Sequence, residues 1–150
     1  MHVNQRPDHL TGDQQATLSA IGETLLPGAA AAGLVAFIEQ NLSLANPQLF
    51  VKYRDLPLAP VAFYRSALDA IDRLAIHRYQ SGFTMLNQQQ QCAIVDLLIA
   101  GDPPDWHGPP ANEVFTVLRM DAFDVVYGVP AGYDRLDLQM HLHIAPERPW

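Results

Sequence analysis

Lysine and cysteine are almost missing from this sequence of 150 residues. Lys52 is the single lysine and Cys92 is the single cysteine, so no disulfide can form within the chain. Nine basic residues stand against sixteen acidic ones, and the formal net charge is −7. A basic face that neutralises phosphates is therefore not expected, which argues against nucleic acid as a partner.

The sequence also lacks long apolar runs. No window approaches the length of a transmembrane helix, so direct membrane insertion is not expected. Residues 1–15 are polar and contain neither the apolar core of an export signal nor a twin arginine. The chain as written is expected in the cytoplasm, or in the periplasm if a signal was removed or a partner carries one.

The remaining composition is that of a folded globule, with 49% hydrophobic and 17% charged residues. A chain of this length most simply forms one domain. We expect residues 1–10 to be a flexible tail and residues 11–150 to form a single helical domain. Its C-terminal segment, from about residue 121 onward, is expected to bind a partner.

Helix boundaries are indicated by capping residues. Thr11 with Gln14, and Asn87 with Gln90, fit capping boxes at the starts of two helices. Gly101 suits a helix end in the left-handed conformation. These signals predict where the first helix and a later, glutamine-rich helix begin and where the latter ends.

Apolar stripes predict the helices themselves. The first ends at Pro27, the second starts in the alanine run that follows, a short third starts at Pro47, and the last runs from Asn112 through Ala122. Gly22 inside the first helix predicts a close packing contact. The stripes contain Leu18, Ile21, Leu25, Leu34, Phe37, Ile38, Leu42, Val61, Tyr64, Leu68, Ile71, Ala75, Val114, Phe115, Val117 and Leu118. The predicted fold is an all-α, single-domain bundle of five or six helices with an irregular C-terminal segment rich in proline, glycine and aromatic residues.

Catalytic signatures are weak throughout the chain. The stretch PGAAAAG lacks the lysine that a phosphate-binding loop requires. Cys92 lies within a predicted helix among apolar neighbours, which indicates a structural thiol rather than a nucleophile. Asp69 and Asp72 share a helix face and are interpreted as a solvated edge beside Arg65 and Arg73. We therefore predict no catalytic residue in this chain.

The sequence HLH near the C-terminus is the one local candidate for a metal site. In an extended segment His141 and His143 point the same way and can reach one metal ion. A catalytic site needs a third protein ligand, for which the candidates are Asp134, Asp137, Glu147 and His107. The alternative interpretation is a polar contact surface rich in aromatic residues.

Aromatic residues are frequent where proline and glycine break the helical pattern. Trp106 and Trp150 lie in proline-rich stretches, and Tyr127 and Tyr133 lie near glycines. Several exposed rings in segments that cannot fold on themselves favour a partner surface. The alternative, in which the segment wraps the bundle and covers helix grooves with these rings, remains open.

The order of these parts resembles the gluconate 2-dehydrogenase subunit 3 family. The stretch LTGDQQATLSAIGETLLPG resembles the family's opening helix, and AGLVAFIEQNL is similar to its second helix. The stretches YRSALDAID and RYQSGFTMLNQQQQCAIVDLLIAG resemble its middle segment, and DAFDVVYGVPAGYD resembles its aromatic helix end with a Tyr-Gly-Gly loop. The resemblance covers roughly residues 10–140.

The chain departs from the family pattern in three places. Val129 and Pro130 stand where the family usually has a second glycine and an asparagine. A tryptophan that often follows in the family has no clear counterpart. The twin-arginine export signal that this subunit commonly carries does not occur, which separates this sequence from the family's export role.

The resemblance implies a non-catalytic small subunit. Such a subunit binds, stabilises and helps to mature a large FAD-dependent dehydrogenase of the glucose–methanol–choline (GMC) type that oxidises a sugar or polyol. FAD would belong to that large subunit, this chain would carry no cofactor, and a cytochrome c subunit would associate through the large subunit. The predicted partner-binding residues are Trp106, Phe123, Tyr127, Gly128, Tyr133 and Trp150.

Two other functions stay open on the sequence. One is a small metal-binding protein or metalloenzyme that uses His141 and His143. The other is a stand-alone helical interaction domain, including one that pairs with itself.

Overall fold

The structure is a computed structural model, and it describes residues 8–128. In that range the chain forms five α-helices and no strand. The α-helices are α1 (Gly12–Leu25), α2 (Leu34–Leu42), α3 (Pro60–Tyr79), α4 (Gln88–Ala100) and α5 (Ala111–Tyr127), and two short 3₁₀ helices are Phe50–Tyr53 and Phe83–Met85. The predicted all-α bundle is confirmed.

Both predicted capping boxes are present. The Thr11 hydroxyl accepts a hydrogen bond from the Gln14 backbone N–H at 3.1 Å, while the Gln14 side chain accepts one from the Thr11 N–H. Asn87 and Gln90 form the same pair of bonds at the start of α4. These bonds satisfy N–H groups that have no partner within the helix. At the other end of α4, the helix ends at Gly101 as predicted, but Gly101 has a φ of 101° and a ψ of 169° and is not in the predicted left-handed helical conformation.

Helix α1 lies at the centre of the bundle and packs against each of the other four α-helices. Its Leu18 and Ile21 are completely buried, and so are Phe63 and Tyr64 on α3. The apolar stripes predicted for α1 and α3 therefore face the core. The core also contains side chains from α2, α4 and α5, so all five helices share it.

Gly22 permits the close approach of α1 and α2. A Cβ atom at this position would collide with Leu34 Cδ2, because that side chain lies directly against the glycine. The predicted packing contact at Gly22 is confirmed. The cost of placing glycine inside a helix is offset here by the burial of Leu34, which is fully inaccessible.

The predicted start of the second helix in the alanine run is wrong. Residues 27–33 form turns, and α2 begins only at Leu34, after Gly33 with a φ of 90°. The carboxylate of Glu23 accepts hydrogen bonds from the backbone N–H groups of Gly28 and Ala30. These bonds stabilise a turn where alanine propensity alone favours a helix.

The predicted short helix starting at Pro47 is also wrong. The chain is not helical there and forms a 3₁₀ helix only over Phe50–Tyr53. The Asn41 side chain accepts a hydrogen bond from the Gln48 N–H at 2.9 Å, and Leu49 is completely buried. The hydrogen bond to Asn41, seven residues earlier, and the burial of Leu49 determine the local backbone.

Helix α5 differs from its prediction at both ends. It starts at Ala111 rather than after Asn112, because the Asp102 carboxylate accepts a hydrogen bond from the Ala111 N–H at 2.8 Å. It also continues beyond Ala122 to Tyr127. The beginning of the segment expected to be irregular from about residue 121 is thus helical.

The residues before α1 are attached to α2 where the structure describes them. The Glu39 carboxylate accepts hydrogen bonds from the backbone N–H groups of His9 and Leu10 at 2.9 and 2.7 Å. Leu10 is buried. The boundary drawn between a tail over residues 1–10 and a domain over residues 11–150 stays a prediction.

Candidate functional site

The C-terminal half of α5 is attached to the bundle by a buried carboxylate. Asp121 is completely inaccessible, accepts a hydrogen bond from the Tyr64 hydroxyl of α3, and accepts another from the Phe50 N–H at 3.1 Å. Burial raises the pKa of Asp121 to about 7, although both hydrogen bonds act in the opposite direction. Burial also raises the pKa of Tyr64, so its hydroxyl stays protonated and donates. The Asp121 side chain thus joins α5, α3 and the 3₁₀ helix Phe50–Tyr53.

The N-terminal part of α5 has a second attachment at the protein surface. Arg54 follows the same 3₁₀ helix, and its guanidinium donates two hydrogen bonds of 2.6 Å to the carboxylate oxygens of Glu113. This bond lowers the pKa of Glu113 and raises that of Arg54. The pair and Asp121 bind the Phe50–Arg54 region to two places along α5, which restricts motion between them.

The outer side of α5 carries an aromatic stripe with one arginine. Phe115, Arg119, Phe123 and Tyr127 follow each other at four-residue spacing and therefore lie on one helical face. The Arg119 guanidinium carbon lies 5.8 Å from the ring centroid of Phe115 and 5.6 Å from that of Phe123. The rings of Phe123 and Tyr127 are 5.5 Å apart. The stripe is a continuous row of neighbouring side chains, with a tilted pair of rings at its C-terminal end.

A groove runs along the end of this stripe. It has a volume of about 510 Å³ and is lined by Arg119, Met120, Phe123, Asp124, Tyr127 and Gly128. We call it the α5 groove. Among the described residues, all six that line the groove belong to α5 or follow it directly. A mostly apolar groove on the surface of a helix is suited to contact with another surface.

The structure brings three of the predicted partner-binding residues together. Phe123 and Tyr127 are half-buried, and Gly128 closes the helix by donating its N–H to the Asp124 carbonyl at 2.9 Å. Trp106 does not line this groove: its ring is half-buried beside Gly108, and its indole N–H donates to the Pro109 carbonyl at 2.6 Å.

Two further predicted partner-binding residues, Tyr133 and Trp150, lie outside the described residues. The assignment of all six residues to a partner interface stays a prediction.

The histidine pair considered for metal binding cannot be compared with the structure. His141 and His143 lie outside the described residues, as do Asp134, Asp137 and Glu147, while His107 is exposed in the loop before α5. Across residues 8–128, no group of three or more His, Cys, Asp or Glu side chains is arranged to hold a metal ion. Over the same range no helix combines the length and the apolar character needed to cross a membrane.

Two expectations about polar side chains are corrected. Cys92 is exposed rather than packed among apolar neighbours, because the buried face of α4 is formed by Ile94, Val95 and Leu98. Asp69 and Asp72 are more than a solvated edge. Asp69 accepts a hydrogen bond from the Gln14 side chain at 3.1 Å, and the Asp72 carboxylate accepts one from the Phe83 N–H at 2.9 Å. Both connect α3 to neighbouring elements.

The same region contains residues that the sequence analysis missed. Asp121 occupies a stripe position between Leu118 and Val125, and a carboxylate in such a position signals a buried hydrogen bond. Tyr64 was assigned only an apolar role, although a buried tyrosine hydroxyl normally finds a partner. Arg119 was detectable from its place between two aromatic residues at four-residue spacing.

Comparison with protein families found one match. The family model described as gluconate 2-dehydrogenase subunit 3 matches residues 12–140, which include all five described α-helices and the α5 groove. Neither a curated protein nor a solved structure matched the chain.

Proposed function

Because the chain belongs to the gluconate 2-dehydrogenase subunit 3 family, we propose that it is a non-catalytic small subunit of a dehydrogenase complex. In this proposal it binds, stabilises and helps to mature a large FAD-dependent subunit of the GMC type that oxidises a sugar or polyol. The observation that carries the proposal is the family match over residues 12–140, which is most of the chain.

The α5 groove supports a role in binding another protein. Its lining includes phenylalanine, tyrosine, methionine and arginine, which are the residue types enriched at protein interfaces. Met120 is 37% exposed, although it is large and apolar. Its burial against a partner surface would be favourable, since apolar surface removed from water contributes roughly 25 cal/mol per Å².

The attachment of α5 to the bundle supports the same role. Asp121 holds the middle of the helix and Glu113 holds its start, so the groove residues are placed on a rigid element. A surface ordered before binding loses less conformational entropy when a partner docks. The contact surface therefore needs little rearrangement.

The division of labour follows from the proposed role. The large subunit would hold FAD and carry out the oxidation, and a cytochrome c subunit would associate through it. This chain would contribute surface and stability. Since anything that binds only the folded form of a protein stabilises it, the small subunit would raise the population of folded large subunit.

The proposal predicts that a neighbouring reading frame encodes a large flavoprotein, and co-expression of this chain with that flavoprotein tests it. We expect an affinity tag on this chain to retain the large subunit, recognised by its size and its flavin absorbance. Large subunit expressed alone should accumulate at a lower level and unfold at a lower temperature. Recovery of the same amount of stable, flavin-containing large subunit without this chain, together with no copurification, would refute the proposal.

A further inference from the structure

Arg119 lies in an unusual position for an exposed arginine. Its guanidinium is held between the rings of Phe115 and Phe123, one helical turn to either side. A guanidinium that meets aromatic rings with its flat faces keeps the N–H groups at its edge able to donate. The two ring contacts favour this position of the Arg119 side chain.

Carboxylates of the described part of the chain do not form an ion pair with these donors. Between residues 8 and 128 the ion pairs are Arg54 with Glu113 and His77 with Asp105. Asp124 lines the same groove as Arg119 but is not within ion-pair distance of it. A carboxylate from outside this region can therefore pair with Arg119, whose guanidinium can donate two parallel hydrogen bonds.

The groove beside Arg119 provides an apolar contact at a defined distance. Met120, Phe123 and Tyr127 form its floor, and Tyr127 lies eight residues beyond Arg119. At about 1.5 Å per residue, Phe123 and Tyr127 lie roughly 6 and 12 Å from the arginine along the helix. A partner segment fits when an acidic residue lies about one to two helical turns from an apolar residue.

The residues that line the groove favour a protein surface as its partner. Among the described residues they include phenylalanine, tyrosine, methionine and arginine, which are the residue types enriched at protein interfaces. Charge matters only at short range here, since the net charge of −7 does not attract an acidic partner from a distance.

We infer that the α5 groove binds a segment of the large subunit through a carboxylate paired with Arg119 and an apolar side chain seated among Met120, Phe123 and Tyr127. This inference rests on the proposed function and specifies its contact. Arg119 determines which segment binds and in which register, because a misplaced segment leaves the guanidinium without its acidic partner.

The test compares three variants of the full-length chain in titrations against the purified large subunit. Arg119→Glu should raise the Kd by about 30-fold or more, because it places like charges opposite each other. Arg119→Lys should give an intermediate loss, since an ammonium group neither stacks nor binds a carboxylate with two parallel bonds. Arg73→Glu, on the exposed face of α3, makes the same change in charge and should alter the Kd by no more than about twofold.

The possible outcomes distinguish a failure of the inferred contact at Arg119 from a failure of the proposed function. If the unmodified chain does not bind the large subunit, the proposed function fails and the inference fails with it. If the unmodified chain binds and Arg119→Glu behaves like Arg73→Glu, the inference is wrong and the proposed function stands. A changed melting temperature or oligomeric state of isolated Arg119→Glu, with an unchanged Kd, would assign the groove to residues 129–150 or to a second copy and overturn the inference.

Discussion

The carboxylate of Asp121 and the hydroxyl of Tyr64 form a buried hydrogen bond that joins α5 to α3. The second carboxylate oxygen of Asp121 accepts a hydrogen bond from the Phe50 N–H, so Asp121 also connects α5 to the 3₁₀ helix Phe50–Tyr53. Because the groove residues lie on both sides of Asp121 along the same helix, this bond places them relative to the rest of the bundle. The stability of the protein should therefore depend on the protonation of Asp121.

Replacement of Asp121 by asparagine should change how stability depends on pH. The folded-state pKa of Asp121 is raised from 3.8 to about 7, so the folded protein holds a proton that the unfolded chain releases. The contribution of the Asp121 carboxyl group to the free energy of unfolding is complete below its unfolded-state pKa and is lost as the pH rises towards 7. At roughly 1.4 kcal/mol per pH unit, the loss is at most about 4 kcal/mol. Asparagine does not titrate, so Asp121→Asn should gain stability relative to the unmodified protein between pH 4 and pH 7.

Urea unfolding of both proteins across this pH range measures the difference directly. The absolute stability of each protein also contains contributions from other acidic groups, which cancel when the two are compared. A difference that stays constant with pH would contradict the raised pKa of Asp121.

Replacement of Gly22 by alanine should destabilise the protein although alanine is the better helix former. The new methyl group would collide with Leu34 Cδ2, and the buried leucine would have to move. We expect a loss of about 1–3 kcal/mol, which exceeds the gain of roughly 1 kcal/mol in helix propensity. Denaturant unfolding provides the measurement.

Gly12 is the matched control, because a Cβ atom there would meet nothing within 4 Å. Gly12→Ala should leave stability unchanged or raise it slightly. Equal effects of the two substitutions would show that the contact with Leu34 is not tight.

Replacement of Glu113 by glutamine should lower the melting temperature at neutral pH and not in acid. The hydrogen bond from Arg54 is the main cause of the lowered pKa of Glu113, which lies below the ordinary 4.5. The stabilisation by the pair is thus present above that value and lost as the pH falls through the folded-state pKa. Asp96→Asn, at an exposed position of α4, should show little effect at either pH. A deficit of Glu113→Gln that persists in strong acid would speak against the ion pair.

Replacement of Phe123 by alanine should weaken the complex with the large subunit. It removes the centre of the α5 groove and one of the two rings that hold Arg119. We expect an increase in Kd of tenfold or more, as for other central aromatic residues of interfaces. Titration against the large subunit measures it, and thermal unfolding of the variant verifies that the bundle is intact.

Met85→Ala serves as the comparison for Phe123→Ala. Met85 is 79% exposed on the second 3₁₀ helix and is not part of the α5 groove. Its replacement should change the Kd by about twofold at most. If both substitutions weaken binding equally, the interface is not centred on α5.

The sequence alone predicted those features that depend on residues close together in the chain. The capping boxes at Thr11 and Asn87 each join residues three positions apart, so their hydrogen bonds can be read from spacing. The helix end at Gly101 and the apolar stripe of α3 are equally local, because helical periodicity alone determines which side chains share a face. The all-α class follows from these signals.

The tertiary structure decided what depends on burial and on side-chain hydrogen bonds that residue spacing alone does not reveal. The turn before α2 and the start of α5 both differ from what local propensity favours. The Glu23 carboxylate accepts hydrogen bonds from backbone N–H groups within the turn, and the Asp102 carboxylate accepts one from the first residue of α5. The raised pKa of Asp121 requires burial together with Tyr64, 57 positions away in the chain. The position of the α5 groove likewise depends on Asp121 and its partners, which hold one face of the helix in the core and leave Arg119 and Phe123 on the outer side.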